Sequence, residues 1–167
     1  GGVGCIAVNL LASLNYKVVA LTNKDEKFLT ELGATSIIKR NSFNYSKNPL
    51  SKQKWQGAID TVGGEILSTI LTETMYDGIV VSTGLAKSAT LNTTVYPFIL
   101  RNITLSGIDC VYASYTKRVN AWKFLEKYLD KRILKNIKVS KSFNDLHDIS
   151  NQILKGQIRG RTLIKVI

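Results

Sequence analysis

The chain opens Gly1-Gly2-Val3-Gly4-Cys5-Ile6-Ala7, the start of the stretch GGVGCIAVNLLASLNYKVVALTNK over residues 1–24. Gly2 to Ala7 match G-x-G-x-x-G/A, with alanine in the last place. The first glycine allows a tight turn into a helix, and the second lets backbone come close to a diphosphate. The small last residue lets the helix lie against a sheet. The first amide groups of such a helix have no acceptor of their own, and the helix dipole favours an anion there. Val3, Ile6, Ala7, Leu10, Leu11 and Leu14 then recur on one helical face. Lys17–Leu21 follows as a short continuous apolar run of the kind buried in a parallel sheet. A glycine turn, a helix and a strand at this spacing form the opening of a dinucleotide-binding unit.

The residues that end this stretch decide which dinucleotide. About 20 residues after the glycines, sites for the unphosphorylated coenzyme carry an acid that bonds the ribose 2′-hydroxyl. This chain has Thr22-Asn23-Lys24 there, and Asp25, one step on, reads as the cap of the next helix. Hydroxyl, amide and ammonium donors suit a 2′-phosphate, which a carboxylate would repel. Arg40, at the end of the next strand, offers a guanidinium that pairs bidentately with phosphate. The expected coenzyme is therefore NADP(H). The competing reading makes Lys24 and Arg40 ordinary surface charges.

Working outward, Asp25–Leu32 reads as a helix closed by Gly33, and Thr35–Lys39 as a strand. "GAIDTVGG" reads as a strand running into a turn at Gly63-Gly64, followed by a helix on Ile66, Leu67, Ile70 and Leu71. "GIVVSTG" is the next strand. A turn started by Pro97, a strand at Ile103–Ile108 and a helix carrying Val119, Trp122, Leu125 and Leu129 come after it. "NIKVS", a helix with Leu146, Ile149 and Ile153, and the strand "RTLIKVI" finish the chain. Strands alternating with helices through residue 130 argue an α/β fold with a doubly wound parallel sheet. Asp60 ends a strand at the sheet's carboxyl edge, where two roles compete: contact with a coenzyme ribose or capping of the Gly63-Gly64 turn.

The totals narrow the classes. A chain of 167 residues is one domain, or one domain with part of another. Every apolar run is broken within a few residues, too short to span a bilayer, so no membrane partner is expected. The formal net charge is +11. Its lysines are spread along the chain without the basic stripe and interleaved aromatics of a nucleic-acid surface, so no nucleic-acid partner is expected either. Two cysteines, Cys5 and Cys110, make no disulfide framework and suit a reducing compartment, the cytoplasm. With a single histidine, His147, this chain by itself does not supply a zinc site, and no metal is expected.

Taken together, "GGVG…VVALTNK…LGAT…IIKR", "WQGAIDTVG", "STGLA", "TTVYPFILRNITLSGID" and "QIRGRTLIKV" resemble the medium-chain dehydrogenase/reductase superfamily, in its zinc-free acrylyl-CoA reductase and quinone-oxidoreductase-like branch. The resemblance implies a Rossmann-type domain whose first strand, and a GroES-like catalytic domain before it, are missing from this sequence. It implies an incomplete NADP-binding domain over 1–136 and a segment over 137–167 that returns to the catalytic domain. Gly1, Gly2 and Val3 would meet the diphosphate, with Gly4 completing the turn, and Thr22, Asn23, Lys24 and Arg40 would hold the 2′-phosphate. Leu85 and Ile99 would flank the path towards the nicotinamide, unless both are core. Cys110 would lie at the same site, where relatives tend to carry serine, and Lys155-Gly156 stand where relatives often show Asn-Asn.

The implied activity is hydride transfer from NADPH to the β-carbon of an α,β-unsaturated acyl-CoA, as in an acrylyl-CoA reductase. The alternatives are an NADPH:quinone oxidoreductase and, in another class, a nucleotide-sensing domain without turnover. Relatives are commonly homodimers joined near Ile103–Ile108. With the first strand missing, "KVVAL" and "GAIDTV" would border a gap of unpaired backbone groups, each costing about 1–3 kcal/mol if buried. The 167-residue chain expressed alone is accordingly expected to be insoluble or molten, and a thermal scan of it to lack a sharp cooperative transition.

Overall fold

Short apolar runs bounded by turn residues become strands here, and the longer periodic stretches become helices. In the computed structural model, which describes residues 1–166, the chain folds as two units. One joins Gly1–Ser42 to the segment from Thr116 onward, and the other is Phe43–Tyr115. Every ladder between strands is parallel, which bears out the α/β reading.

The first unit begins with helix α1 (Gly2–Ser13), strand β1 (Val19–Leu21), helix α2 (Glu26–Glu31) and strand β2 (Ser36–Ile38). β1 and β2 pair in register Val19↔Ser36, Ala20↔Ile37 and Leu21↔Ile38. The core gathers Cys5 and Val8 of α1, Val18 and Ala20, then Phe28, Leu29 and Leu32, with Ile133 and Ile137 from later in the chain. α1 is turned differently from the expected face: it buries Cys5, Val8 and Asn9 and leaves Val3 exposed. A helix apolar almost all round does not announce its inner side, and the packing of β1 and α2 decides it. Asn9 is tolerated in the core because both ends of its amide are used. Its Nδ2 donates to Leu32 O at 3.3 Å, and its Oδ1 accepts from Asp130 N at 3.1 Å. Asp25 caps α2 as expected, accepting from Lys27 N at 3.0 Å, and Gly33 follows the helix at φ 102°.

The later part of this unit holds α5 (Tyr115–Tyr128), α6 (Ile133–Ile137), β6 (Lys138–Ser142), α7 (Leu146–Leu154) and β7 (Arg161–Lys165). The sequence had no evident partner for its two last strands; they pair with each other, Lys138↔Arg161 through Ser142↔Lys165. Ile137, read as strand, instead closes α6 and is buried. Of the predicted apolar face of α7 only Ile149 is buried, and Trp122 of α5 is 70% exposed.

The second unit runs β3 (Trp55–Asp60), α3 (Gly64–Glu73), β4 (Thr74–Ser82), α4 (Tyr96–Arg101) and β5 (Thr104–Gly107), with β4 central in the order β3-β4-β5. Leu67, Leu71, Val80 and Ile103 form its core. Pro97 does not start a turn but sits in the first turn of α4, where its missing N–H has no partner to lose. β4 begins four residues before the expected "GIVVSTG", passing a register shift opposite Trp55 and Gly57. Asp77 (φ 58°) and Asn102 (φ 49°), both left-handed, are joined by Asn102 Nδ2 donating to Asp77 Oδ1 at 2.7 Å. At the amino end of the sheet, buried Glu73 accepts from Lys54 Nζ at 2.5 Å and Trp55 Nε1 at 2.9 Å. Arg101 there donates to the carbonyls of Ser51, Thr72 and Thr74.

Leu71 is fully buried in this core, so Leu71→Ala in the full-length protein is expected to cost about 2–5 kcal/mol. Urea denaturation should show a lower midpoint at an unchanged slope.

Candidate functional site

In the first unit the chemistry gathers at the start of α1 and at the carboxyl ends of β1 and β2. Gly1 is the N-cap of α1 and offers no capping side chain, and the first turn holds no acid. Cys5 N reaches Gly1 O at 3.0 Å, so the amides of Gly2, Val3 and Gly4 precede the first helical hydrogen bond. A Cβ at Gly1 or Gly4 would stand in open space, whereas one at Gly2 would strike the Arg161 guanidinium. That arginine is a neighbour of the glycine turn which the sequence reading did not identify.

The parallel register Leu21↔Ile38 brings Thr22-Asn23-Lys24 and the turn Arg40–Ser42 to one edge. Two bonds tie these loops: Asn23 Nδ2 donates to Asn41 Oδ1 at 2.8 Å, and Asn41 N donates to Asn23 Oδ1 at 3.3 Å. Thr22 Oγ1 accepts from Lys24 N at 3.1 Å. Lys24 Nζ turns to the carbonyls of Gly156 and Ile158. Arg40 differs from all of them, because its Nε is buried and has no hydrogen-bond partner. A guanidinium pairs well with phosphate, and no carboxylate occupies residues 22–24 to oppose one at this edge.

In the second unit the strands end together, with Asp60↔Ser82 and Ser82↔Gly107 in register. Beyond them lies an open cavity of about 580 Å³, bordered by Gly63, Gly64, Thr83–Leu85, Ser88 and Asp109 among others. The competing roles of Asp60 resolve towards capping. Its carboxylate is buried and accepts from Val62 N at 3.1 Å and Gly63 N at 3.0 Å, with Ser82 Oγ at 3.4 Å. Gly63 holds φ 71°, and a Cβ on it would collide with Ser88 O, so the turn is closed to larger residues. Leu85 (66% exposed) borders the cavity. Ile99 (68% exposed) is no more a core residue than Leu85, and lies on α4 outside the lining. Cys110 is exposed and follows Asp109, whose Oδ1 accepts from Val111 N at 2.8 Å. Beside the cavity, Lys87 donates to Tyr45 Oη at 3.1 Å and Glu65 Oε2 at 3.2 Å. The Tyr45 bond, then the Glu65 bond, raise its pKa above the ordinary lysine value. Sequence reasoning missed Ser88 and Lys87, which lie in a loop without periodicity. Among the described residues no three His, Cys, Asp or Glu side chains converge to hold a metal ion.

Comparison with known proteins places this geometry. The family model for zinc-binding dehydrogenases matches residues 2–127. The probable acrylyl-CoA reductase AcuI of Escherichia coli is 42% identical over 168 residues, covering 99% of this chain and 52% of that protein. The putative quinone oxidoreductase YhfP of Bacillus subtilis is 38% identical over 170 residues, with 99% and 52% covered. The crystal structure of the YhdH oxidoreductase from Salmonella enterica in complex with NADP superposes with a TM-score of 0.95 at 40% identity, covering 100% of this chain and 52% of that one. The chain thus spans about half the length of the curated relatives it matches. It belongs to the zinc-binding dehydrogenase family, within the medium-chain dehydrogenase/reductase superfamily.

If Asp60 serves the turn, Asp60→Ala should destabilise the full-length protein by about 1–3 kcal/mol by leaving two buried amides unpaired. Asp60→Asn, which keeps one acceptor oxygen, should cost less than half of that in the same denaturation measurement.

Proposed function

We propose that this member of the zinc-binding dehydrogenase family is the coenzyme-binding part of an oxidoreductase that reduces the C=C bond of an α,β-unsaturated acyl-CoA at the expense of NADPH. The observation that carries the reading is the meeting of Thr22-Asn23-Lys24 and Arg40 at the carboxyl edge of β1 and β2, with no carboxylate among residues 22–24. When bound, NADPH supplies the hydride for the β-carbon. The chain's part is to hold and aim. The amides of Gly1, Gly2, Val3 and Gly4 take the diphosphate at the start of α1. Arg40 takes the 2′-phosphate, with Thr22, Asn23 and Lys24 around it. Leu85, Ile99 and Cys110, all exposed in the second unit, are assigned to the nicotinamide end on the family likeness, with Leu85 at the rim of that unit's cavity.

In this reading, residues 1–136 are the NADP-binding domain and 137–167 return to a catalytic domain that supplies the substrate's donors. The full-length protein is a cytoplasmic homodimer paired along β5, which is an edge strand in its sheet, and it requires no nucleic acid or membrane. The acyl-CoA assignment is supported by the likeness to the E. coli acrylyl-CoA reductase, and a quinone substrate by the likeness to the B. subtilis protein.

Initial rates of NADPH oxidation by the full-length protein decide between them. Acryloyl-CoA is expected to be turned over at least about tenfold more efficiently than a small quinone, a difference of about 1.4 kcal/mol at the transition state. NADH should be the poorer donor in both reactions. Preference for the quinone would move the assignment to the second reading, and preference for NADH would remove the role given to Arg40.

A further inference from the structure

We infer that Lys87 is a positioning residue for the cavity of the second unit: its ammonium ties the loop after β4 to Tyr45 and to the first turn of α3, and so fixes the wall that faces a ligand there. The inference rests on the functional reading above, in which this unit receives the reacting end of the coenzyme. Lys87 does not itself line the cavity, whereas Leu85 before it and Ser88 after it do. Its Nζ donates instead to Tyr45 Oη at 3.1 Å and to Glu65 Oε2 at 3.2 Å, and lies 4.6 Å from the centre of the Tyr45 ring.

The backbone around Lys87 shows what the tie adds. Past the end of β4 the ladder with β3 continues into the two loops: Thr83 N reaches Asp60 O and Lys87 N reaches Val62 O, both at 2.9 Å, and Gly63 bridges Ser88. Neighbouring residues of an extended segment point to opposite sides, so Lys87 faces away from the cavity that Ser88 borders. After Ser88, Thr90 N turns back onto Ser88 Oγ at 3.0 Å, and Ala89, Thr90 and Leu91 continue the wall. Lys87 thus stands beside the last step of the backbone ladder, with the rest of the wall beyond it.

Both partners are themselves anchored. Glu65 belongs to the first turn of α3, where a carboxylate suits the helix dipole. Tyr45 belongs to the segment 43–54 before β3, which is fastened along α3: Ser46 N donates to Thr69 Oγ1 at 3.1 Å, Ser51 N to Thr72 O at 3.0 Å and Lys54 N to Glu73 O at 2.8 Å. The Tyr45 ring also meets Phe43 edge-on at 5.5 Å. The side chains of Lys87 and Glu65 are 39% and 68% exposed, so their pair adds little to the stability of the whole fold. Its effect is on the order of one loop.

The test uses the full-length protein, with amide hydrogen exchange over residues 83–91, fluorescence titration with NADPH, and urea denaturation. Lys87→Met is expected to speed exchange across that loop by at least about fivefold, to weaken NADPH by about three- to tenfold and to leave the urea midpoint unchanged. Lys87→Arg, which keeps the charge and can donate to both partners, should restore slow exchange and tight binding. Tyr45→Phe, which keeps the ring and loses the hydroxyl, should fall between the wild type and Lys87→Met. Unchanged exchange or unchanged NADPH affinity in Lys87→Met overturns the inference, as does faster exchange fully accounted for by a lower urea midpoint. Full recovery of both readouts on adding Glu65→Gln to Lys87→Met also overturns it, because only a charge effect would then remain. A wild type that does not bind NADPH overturns the functional reading instead, while exchange still decides whether Lys87 holds the loop.

Discussion

Parallel pairing in register is the constraint on which the candidate site depends. Parallel strands bring all their carboxyl ends to one edge, and the loops that follow inherit that alignment. In the first unit Leu21 stands beside Ile38, so the Thr22–Lys24 turn and the Arg40 turn leave the sheet together. In the second, Asp60, Ser82 and Gly107 end in one row. The ladders continue one step past each strand: Thr22 N reaches Ile38 O, Thr83 N reaches Asp60 O and Ile108 N reaches Ser82 O, all at 2.9 Å. The loops thus start with a direction imposed by the sheet, which is how mobile connections come to carry placed chemistry.

Among the described residues, the buried carboxylates near these edges are satisfied by the protein itself. Asp60 and Glu73 are both buried carboxylates, placed at opposite ends of the β3–β4 pair. Asp60 is consumed by the backbone amides of the turn that follows it, Glu73 by an ammonium and an indole. Each therefore acts as a structural acceptor, and burial alone does not mark a catalytic acid. Among the described residues, Arg40 Nε is the buried side-chain donor left without an acceptor.

What the sequence made legible was local. The glycine turn, the cap at Asp25, the helix end at Gly33 and the donors at Thr22, Asn23 and Arg40 each announce themselves within a few residues, because turn and cap chemistry is short-ranged. What it hid was decided at a distance. The apolar run at Lys17–Leu21 suggested burial on both faces, but it alternates, with Val18 and Ala20 buried and Val19 exposed at 36%, because core residues of α1, α2 and α6 pack against one face only. The face of α1 was chosen by its neighbours, not by its own period. β6 and β7 found each other across α7, a pairing for which parallel strands leave no turn signature. The bonds from Lys24 to Gly156 and Ile158 join residues more than 130 positions apart through carbonyl oxygens, and a carbonyl looks the same in every residue.

The charge of the chain makes the same point from the other side. With 23 lysines and arginines against 12 acids, an anion site does not follow from cations being present near a glycine turn. Lys39, Lys54, Lys87, Arg132 and Arg159 are each paired with a carboxylate; all but the Lys54–Glu73 pair have an exposed or half-exposed carboxylate and contribute little to stability. Their donors are nonetheless occupied, and a phosphate arriving beside them must compete. Lys24 is occupied by carbonyls instead, which hold its position while leaving its full charge uncompensated. It adds to the positive potential at the edge and so aids the approach of a polyanion, an effect that fades with distance and salt. Contact is different from approach, and it needs a donor that no protein carbonyl or carboxylate already holds.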